Sequence, residues 1–597
     1  MSTTIEVNKQ SVEVLLGGGK KKPFVIPEYQ RPYAWTDEQI ETLFEDLWEF
    51  TATSGGTENE SSYFLGSVVS YENENGEQEI IDGQQRITSL FLLLRAIYTK
   101  LTETPAAERT AEATNFIGKI EPTIWRTNKL TGTVDYKDIL LTSRVVNNEG
   151  NEILRSILES GKVDEDARDN YSKNYRLFQE LFDKHATENP LMVYQFIYAL
   201  LNQAILLPIT ADTQDTALTI FSTLNDRGLP LSDADIFKAK IYNRLDAEAK
   251  KAFIERWKDL EEEAQEANES IQQLFYYNMF YYRALDKDTK TTTPGLRKYY
   301  SANKFERLYK TDLMDTLFSI LDLWKVVNNG EVLENEPWSK NTRIKQQLDI
   351  LTSYPNEFWK YPVVIYYICY RSDDDFETKF GKFLNKLLME LMTKYLMTPT
   401  INAVKPDILK LNAAIVTSDI PTFEFKAIDM AQLEPYIQNP NRNMVRMILK
   451  TLAYEHQDEL LPARWEIEHI FPRKWRDNYF PDASDEIIRE KIEQIGNKLP
   501  FEKKLNIVAG NGYFDKKKKA YAESKIAITK AMGTCDDIDW NLESIMKRNI
   551  RVSDEVVKIL NRWNDDYLYK PVAEAVEEST AEDLARIEEF KKKGWIN

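Results

Sequence analysis

Ile467-Glu468-His469-Ile470-Phe471-Pro472, followed by Gly496-Asn497-Lys498-Leu499 and then Leu505-Asn506, is the stretch on which the reading of this chain turns. Histidine is scarce, three in 597 residues, and one of them stands here directly behind a carboxylate. Glu468 offers a hard oxygen suited to Mg²⁺, His469 is the common side chain that titrates near neutrality and can take a proton from water, and Asn506 offers a neutral carbonyl oxygen. That set suits hydrolysis of a phosphodiester: a divalent ion offsets charge on the phosphate and on the departing sugar oxygen while the imidazole aims an attacking water in line. The structural alternative, a buried histidine beside the strand-ending Pro472, leaves the two downstream asparagines unexplained.

The segment resembles the HNH (ββα-metal) nuclease family, whose pattern is an acid–His pair on a first strand, an Asn after a loop and a second Asn opening a helix. The resemblance implies that Glu468 and Asn506 hold Mg²⁺ or Mn²⁺, that His469 is the base, and that Asn497 completes the catalytic set by fixing the loop. Glu468 stands where many members have Asp. The Cys-x-x-Cys zinc clamp of some relatives is missing, because the two cysteines, Cys369 and Cys535, are far apart. Between 461 and 530 there are 15 Lys and Arg against 11 Asp and Glu, a local basic excess in a chain of net charge -19. Net charge reports solubility and long-range field, not a local site. The run Lys516-Lys517-Lys518-Lys519, beside Tyr513, Phe514 and Tyr521, can neutralise DNA phosphates or be a solvated helix face.

A second informative region begins at Ile26-Pro27-Glu28-Tyr29-Gln30-Arg31-Pro32-Tyr33-Ala34-Trp35 and continues through Phe64–Val69 to Ile80-Ile81-Asp82-Gly83-Gln84-Gln85-Arg86. The last run reads as strand, turn and helix start, with an apolar helix over 86–98. A helix N-terminus offers free N–H groups to an anion, and Arg86 adds a fork of donors that suits phosphate. Asp82 can serve a metal or a ribose hydroxyl. Taken alone, the segment also reads as a structural turn.

These motifs, with Phe221–Ser232 and Asp235–Lys238, resemble the ParB/sulfiredoxin-like N-terminal domain of GmrSD-type and SspE-like Type IV restriction enzymes. The resemblance implies an N-terminal domain that binds and hydrolyses a nucleoside triphosphate, with GTP preferred, and a C-terminal HNH domain that cuts DNA. By carry-over Gln30, Arg31, Asp82, Gly83, Gln84, Gln85 and Arg86 line the nucleotide pocket; Asn225 and Lys238 are further candidates, with helix capping and a solvated lysine as their alternatives. It also implies modified DNA as the signal, either glucosylated or methylated cytosine or a phosphorothioate backbone.

Length and composition fit several domains with sizeable cores: 42% hydrophobic and 29% charged residues over 597 positions. No stretch reaches the ~18 uninterrupted apolar residues of a membrane helix. The first nine residues lack a secretion-signal pattern, and two cysteines suit a reducing compartment, so a cytoplasmic protein without a membrane partner is expected. Self-association is left open.

Residues 5–28 read as a β-hairpin, with Val12–Leu16 turning through Gly17-Gly18-Gly19 into Phe24–Ile26. The Gly-Gly-Gly-Lys-Lys-Lys string lacks phosphate-loop spacing. Thr36 is expected to cap a helix through Leu43, Phe44, Leu47 and Trp48, and 51–62 and 71–79 read as polar loops. A mostly helical section spans 116–202, a strand covers 204–209, and 246–432 is helical. The aromatics Phe275-Tyr276-Tyr277 and Phe280-Tyr281-Tyr282 read as core in preference to a base-stacking platform, as does the apolar helix over 358–370. The expected fold is thus multidomain α+β and predominantly helical: a ParB-like nucleotide-binding sensor domain (1–245), a helical bridge (246–432), a ββα-metal HNH domain (433–560) and a helical tail (561–597). The expected function is a nucleotide-regulated, metal-dependent DNA endonuclease of anti-phage defence. Two alternatives stand beside it: a ParB-like nucleotide-binding regulator whose HNH portion only binds DNA, and an RNA-directed nuclease or toxin.

Overall fold

The structure, a computed structural model, describes residues 6–17, 23–53, 61–128, 130–145, 149–224, 232–475 and 484–568. The chain divides into two compact units, Met1–Asp259 and Leu260–Asn597. Both are rich in helix, and among the described residues no helix is long and apolar enough to cross a membrane.

The first unit is built on a mixed sheet. Tyr63–Glu72 pairs parallel with Ala204–Ala211 and antiparallel with Gln78–Asp82, which pairs parallel with Phe24–Ile26, itself parallel to Leu141–Ser143. Helix Gln84–Glu103 leaves the sheet directly after Gln78–Asp82. It buries Ile87, Leu90 and Phe91 through Leu94 completely, an all-round apolar helix enclosed by other elements. Helices Ala111–Ile124, Glu149–Ser160 and Asn170–Glu188 pack on it.

Several local expectations change. Val12–Leu16 is not a strand: it lies in helix Val12–Gly17, where the Ser11 hydroxyl accepts from Val14 N–H at 3.3 Å and Val12, Leu15 and Leu16 fall on one buried face. Phe24–Ile26 therefore pairs inside the sheet, and Gly18 and Gly19 lie outside the described residues. The loop expected at 71–79 shrinks to a turn, because Asn73 Oδ1 accepts from the N–H groups of Asn75 and Glu77 and closes a hairpin. Residues 51–53 complete helix Asp37–Thr53. Its cap is inverted: Gln39 Oε1 accepts from both the N–H and the hydroxyl of Thr36. Within 116–202, strands Trp125–Thr127, Val134–Ile139 and Leu141–Ser143 interrupt the helices.

In the second unit the aromatic clusters are core. Phe275, Tyr277, Phe280 and Tyr282 are buried, Phe280 stacks on Tyr361 at 3.7 Å, and Tyr366 stacks on Phe383 at 4.2 Å. Towards its end, strand Trp465–His469 pairs antiparallel with Lys498–Glu502, and helix Lys503–Ala509 follows without a break. Ile470, Phe471, Leu499, Phe501 and Tyr521 form the core beneath them. Helix Leu542–Leu568 runs through residue 560, and 569–597 lie outside the described residues.

Candidate active site

The alternation of a strand sets the first geometry. Glu466 and Glu468 lie two residues apart and share one face of Trp465–His469, while His469, paired with Lys498, ends the strand. Asn506, one turn into the following helix, donates from Nδ2 to Glu466 Oε2 at 3.0 Å. The helix asparagine thus meets Glu466 and not Glu468, and Glu466 is a residue the sequence reading passed over. The signal was there: a second acid at the period of the strand.

Glu468 is buried and already partnered. Its Oε1 accepts from Tyr521 Oη at 2.7 Å and from Lys517 Nζ at 2.6 Å. The same ammonium donates to His469 O at 2.6 Å, so one lysine holds the carboxylate and the backbone of the acid–His pair together. Burial lowers the Lys517 pKa and Glu468 opposes the shift.

His469 is 8% exposed. Its Nε2 lies 3.4 Å from Glu493 Oε2 and 3.4 Å from Arg473 Nε, and Lys498 Nζ pairs with Glu493 at 3.0 Å. Burial first, then the Arg473 and Lys498 cations, push the imidazole down to about 4 against the pull of Glu493. A neutral imidazole can accept a proton.

Asn497 is fully buried, and its amide is spent on the backbone: Oδ1 accepts from Phe471 N–H at 2.7 Å, and Nδ2 donates to Phe471 O and Ile492 O at 3.0 Å each. These bonds fix the turn that carries His469. Behind it, Arg548 Nη1 donates to Ile495 O, Gly496 O and Lys498 O.

The lysine run does not act as one patch. Lys516 and Lys519 are exposed. Lys517 is buried against Glu468, and Lys518 donates to Cys535 O and Asp537 O at 2.6 and 2.8 Å. With a period of ~3.6 residues the helix leaves Lys516 and Lys519 on its exposed side and turns Lys517 into the interior.

In the first unit, Gln30, Arg31 and the Asp82–Arg86 segment do come together, largely through structural bonds. Gln30 Nε2 donates to Ile81 O at 3.1 Å, Gln84 Nε2 to Arg31 O at 3.2 Å, and Gln85 Nε2 to Pro32 O at 3.1 Å. Gln85 Oε1 also accepts from Ala34 N–H at 2.8 Å. These amides clamp the Arg31–Trp35 loop to the helix start. Arg31 is exposed, 3.4 Å from Asp235.

Asp82 and Arg86 differ. Burial raises Asp82, opposed by Gly83 N–H and Arg86, while burial lowers Arg86. Arg86 Nη1 donates to Ser67 O at 2.9 Å and fills the space where a Cβ on Gly66 would sit, 2.9 Å from the guanidinium carbon. Gly66 has φ +113°, so glycine is needed on two counts. Gly83, at φ 88°, makes the turn into the helix. A cavity of about 670 Å³ opens on this loop, lined by Pro32, Tyr33 and Tyr171 among others; neither Asp82 nor Arg86 lines it. Lys238 Nζ lies 5.9 Å from the Trp257 ring, and Asn225 lies outside the described residues.

Two family models match this chain: the N-terminal domain of GmrSD restriction endonuclease over residues 12–242 and the C-terminal domain of GmrSD restriction endonucleases over residues 427–553, together more than half its length. The acid–His strand and its asparagine helix fall inside the second match. The protein is a restriction endonuclease of phage defence, a nuclease whose substrate is DNA. It belongs to the GmrSD-type Type IV restriction enzymes. No curated protein matches the chain.

Proposed function

We propose that the C-terminal portion is an HNH-type, metal-dependent nuclease and that the N-terminal portion binds and hydrolyses GTP or another nucleoside triphosphate and gates cleavage on modified DNA. The observation that carries the first part is the order strand, strand, helix, with Glu468-His469 closing the first strand and Asn506 on the helix. Restriction endonucleases generally use divalent metal ions. The donor chemistry here fits one: Glu466, Glu468 and the Asn506 carbonyl are hard oxygens, and Mg²⁺ is usually held by one or two carboxylates with water and substrate phosphate completing the shell. The ion supplies charge neutralisation at the phosphate and the departing oxygen.

His469 accepts the proton of the attacking water; its burial keeps the ring neutral for that task. Arg473, exposed beside the imidazole, fits a phosphate oxygen. Lys516 and Lys519 are suited to neutralising flanking phosphates, with a salt-dependent contribution.

None of these groups reads a base, so restraint has to come from elsewhere in the chain. A nucleotide-hydrolysing domain supplies two states that contact with modified DNA can bias. Asp82 and Arg86, at a strand–turn–helix junction, are the side chains there suited to a triphosphate. The test is to measure NTP turnover and nicking by the full chain, with and without Mg²⁺, on matched plasmids carrying glucosylated cytosine, methylated cytosine, phosphorothioate or no modification, with an RNA of the same sequence as control. Modified DNA should raise both activities; equal rates on every DNA contradict the sensor, and preferential RNA cleavage contradicts the DNA reading.

A further inference from the structure

Helix Lys503–Ala509, which carries Asn506, turns Leu505 and Ala509 onto the core and leaves its outer face bare. On that face Lys503, Lys504, Ile507 and Val508 are all exposed. The spacing i, i+1, i+4, i+5 sets each aliphatic side chain one turn beyond a lysine. Ile507 is 68% and Val508 79% exposed, and among the described residues no other two consecutive large apolar side chains are both exposed. An apolar patch rimmed by charge on a folded chain marks a contact site.

What surrounds the patch selects its occupant. Within 503–519 the exposed cations are Lys503, Lys504, Lys516 and Lys519, against a single acid, Asp515. Lys503 Nζ lies 3.7 Å from Glu466 Oε1, on the carboxylate that Asn506 also meets. Under the nuclease reading, on which this inference rests, the phosphate to be cut comes to Glu466 and Asn506. One turn of the helix rises only ~5.4 Å and a DNA groove is ~6–12 Å wide, so a duplex that delivers this phosphate also covers Ile507 and Val508.

We propose that Ile507 and Val508 enter a groove of the duplex and pack against its sugars and base edges beside the cleaved phosphate, while Lys504 neutralises a flanking phosphate. Both side chains branch at Cβ and are stiff, which suits them to hold the strand in place against the metal-side groups. Apolar side chains inserted between cation–phosphate contacts are a recurrent way of seating a protein in a groove.

The experiment is fluorescence anisotropy of a short labelled DNA duplex with the full chain, with EDTA present to prevent cleavage, repeated over a series of salt concentrations. The variants are the double substitution Ile507→Ser with Val508→Ser, Lys504→Ala, and Ile420→Ser as an exposed isoleucine elsewhere in the unit. Every side chain replaced is exposed, so the fold is kept. The double variant should bind about tenfold more weakly at each salt concentration with the parental salt dependence, because an apolar contact releases no counterion. Lys504→Ala should reduce the slope of log K against log salt by about one. Ile420→Ser should bind as the parent does. Parental affinity in the double variant, or an equal loss in Ile420→Ser, overturns the inference; an unchanged slope in Lys504→Ala overturns the phosphate contact. If sedimentation shows that the double variant loses self-association while DNA binding is unchanged, the face belongs to a second copy and the DNA contact is overturned. Parental cleavage by His469→Ala would sink the nuclease reading separately and leave these binding results standing.

Discussion

Lys517 Nζ lies 2.6 Å from Glu468 Oε1, with the two side chains 2% and 7% exposed. One buried ion pair therefore ties the helix Phe514–Ala522 to the strand that presents His469. Breaking such a pair from one side leaves an uncompensated charge and costs about 3–5 kcal/mol, while removing both charges costs far less. Lys517→Met should lower the unfolding temperature of the C-terminal unit markedly, and Lys517→Met with Glu468→Gln should recover most of the loss. Calorimetry decides; a double variant no more stable than the single one contradicts the pairing.

Asn497→Ala should act through the loop and not through chemistry. It strips Phe471 N–H, Phe471 O and Ile492 O of their partner in a dry interior, a loss of about 3 kcal/mol or more. The Phe471 amide should exchange much faster in this variant and cleavage should fall with it. Unchanged exchange alongside lost cleavage would instead make Asn497 part of the reacting set.

Much of the site was legible in the sequence because strand and helix periods are short-range rules. Glu468, His469 and Asn506 were placed on a strand end and a helix by the resemblance to HNH nucleases, and strand Trp465–His469 and helix Lys503–Ala509 carry them. Lys517 could not be told from three identical neighbours without the phase of the helix, although Phe514 and Tyr521, at i−3 and i+4, mark its buried face. The roles of Gln84 and Gln85 were hidden for another reason: their partners, from Arg31 to Trp35, lie some fifty residues upstream, and no local pattern announces a clamp across that distance. Val12–Leu16 was too short for its period to separate helix from strand, and the Ser11 hydroxyl decided it.

Metal dependence should separate the carboxylates from the base. Asn506→Ala and Glu466→Gln should each raise the Mg²⁺ or Mn²⁺ needed for half-maximal cleavage by roughly 10–100-fold, with activity partly restored by excess metal, since a lost ligand or partner weakens affinity without removing the proton acceptor. A cleavage titration with each ion checks this. If excess metal restores nothing in Asn506→Ala, Asn506 is structural.

The first unit offers a parallel separation. Asp82→Ala and Arg86→Ala should abolish NTP hydrolysis, Arg86→Ala also lowering the melting temperature because Ser67 O loses its donor, while Gln85→Ala should chiefly loosen the Arg31–Trp35 loop, visible as faster exchange at Ala34 N–H. Parental hydrolysis rates in Asp82→Ala and Arg86→Ala contradict the nucleotide assignment.

His469, held neutral by burial at the end of the acid–His strand, is proposed to take the proton of the attacking water. The most direct measurement of that role is single-turnover cleavage of DNA by purified His469→Ala, beside its melting curve and its NTP hydrolysis rate. The expected result is a fall of roughly 10²–10⁴-fold in cleavage that excess metal does not relieve, with folding and nucleotide hydrolysis intact. Cleavage at the parental rate would contradict the account.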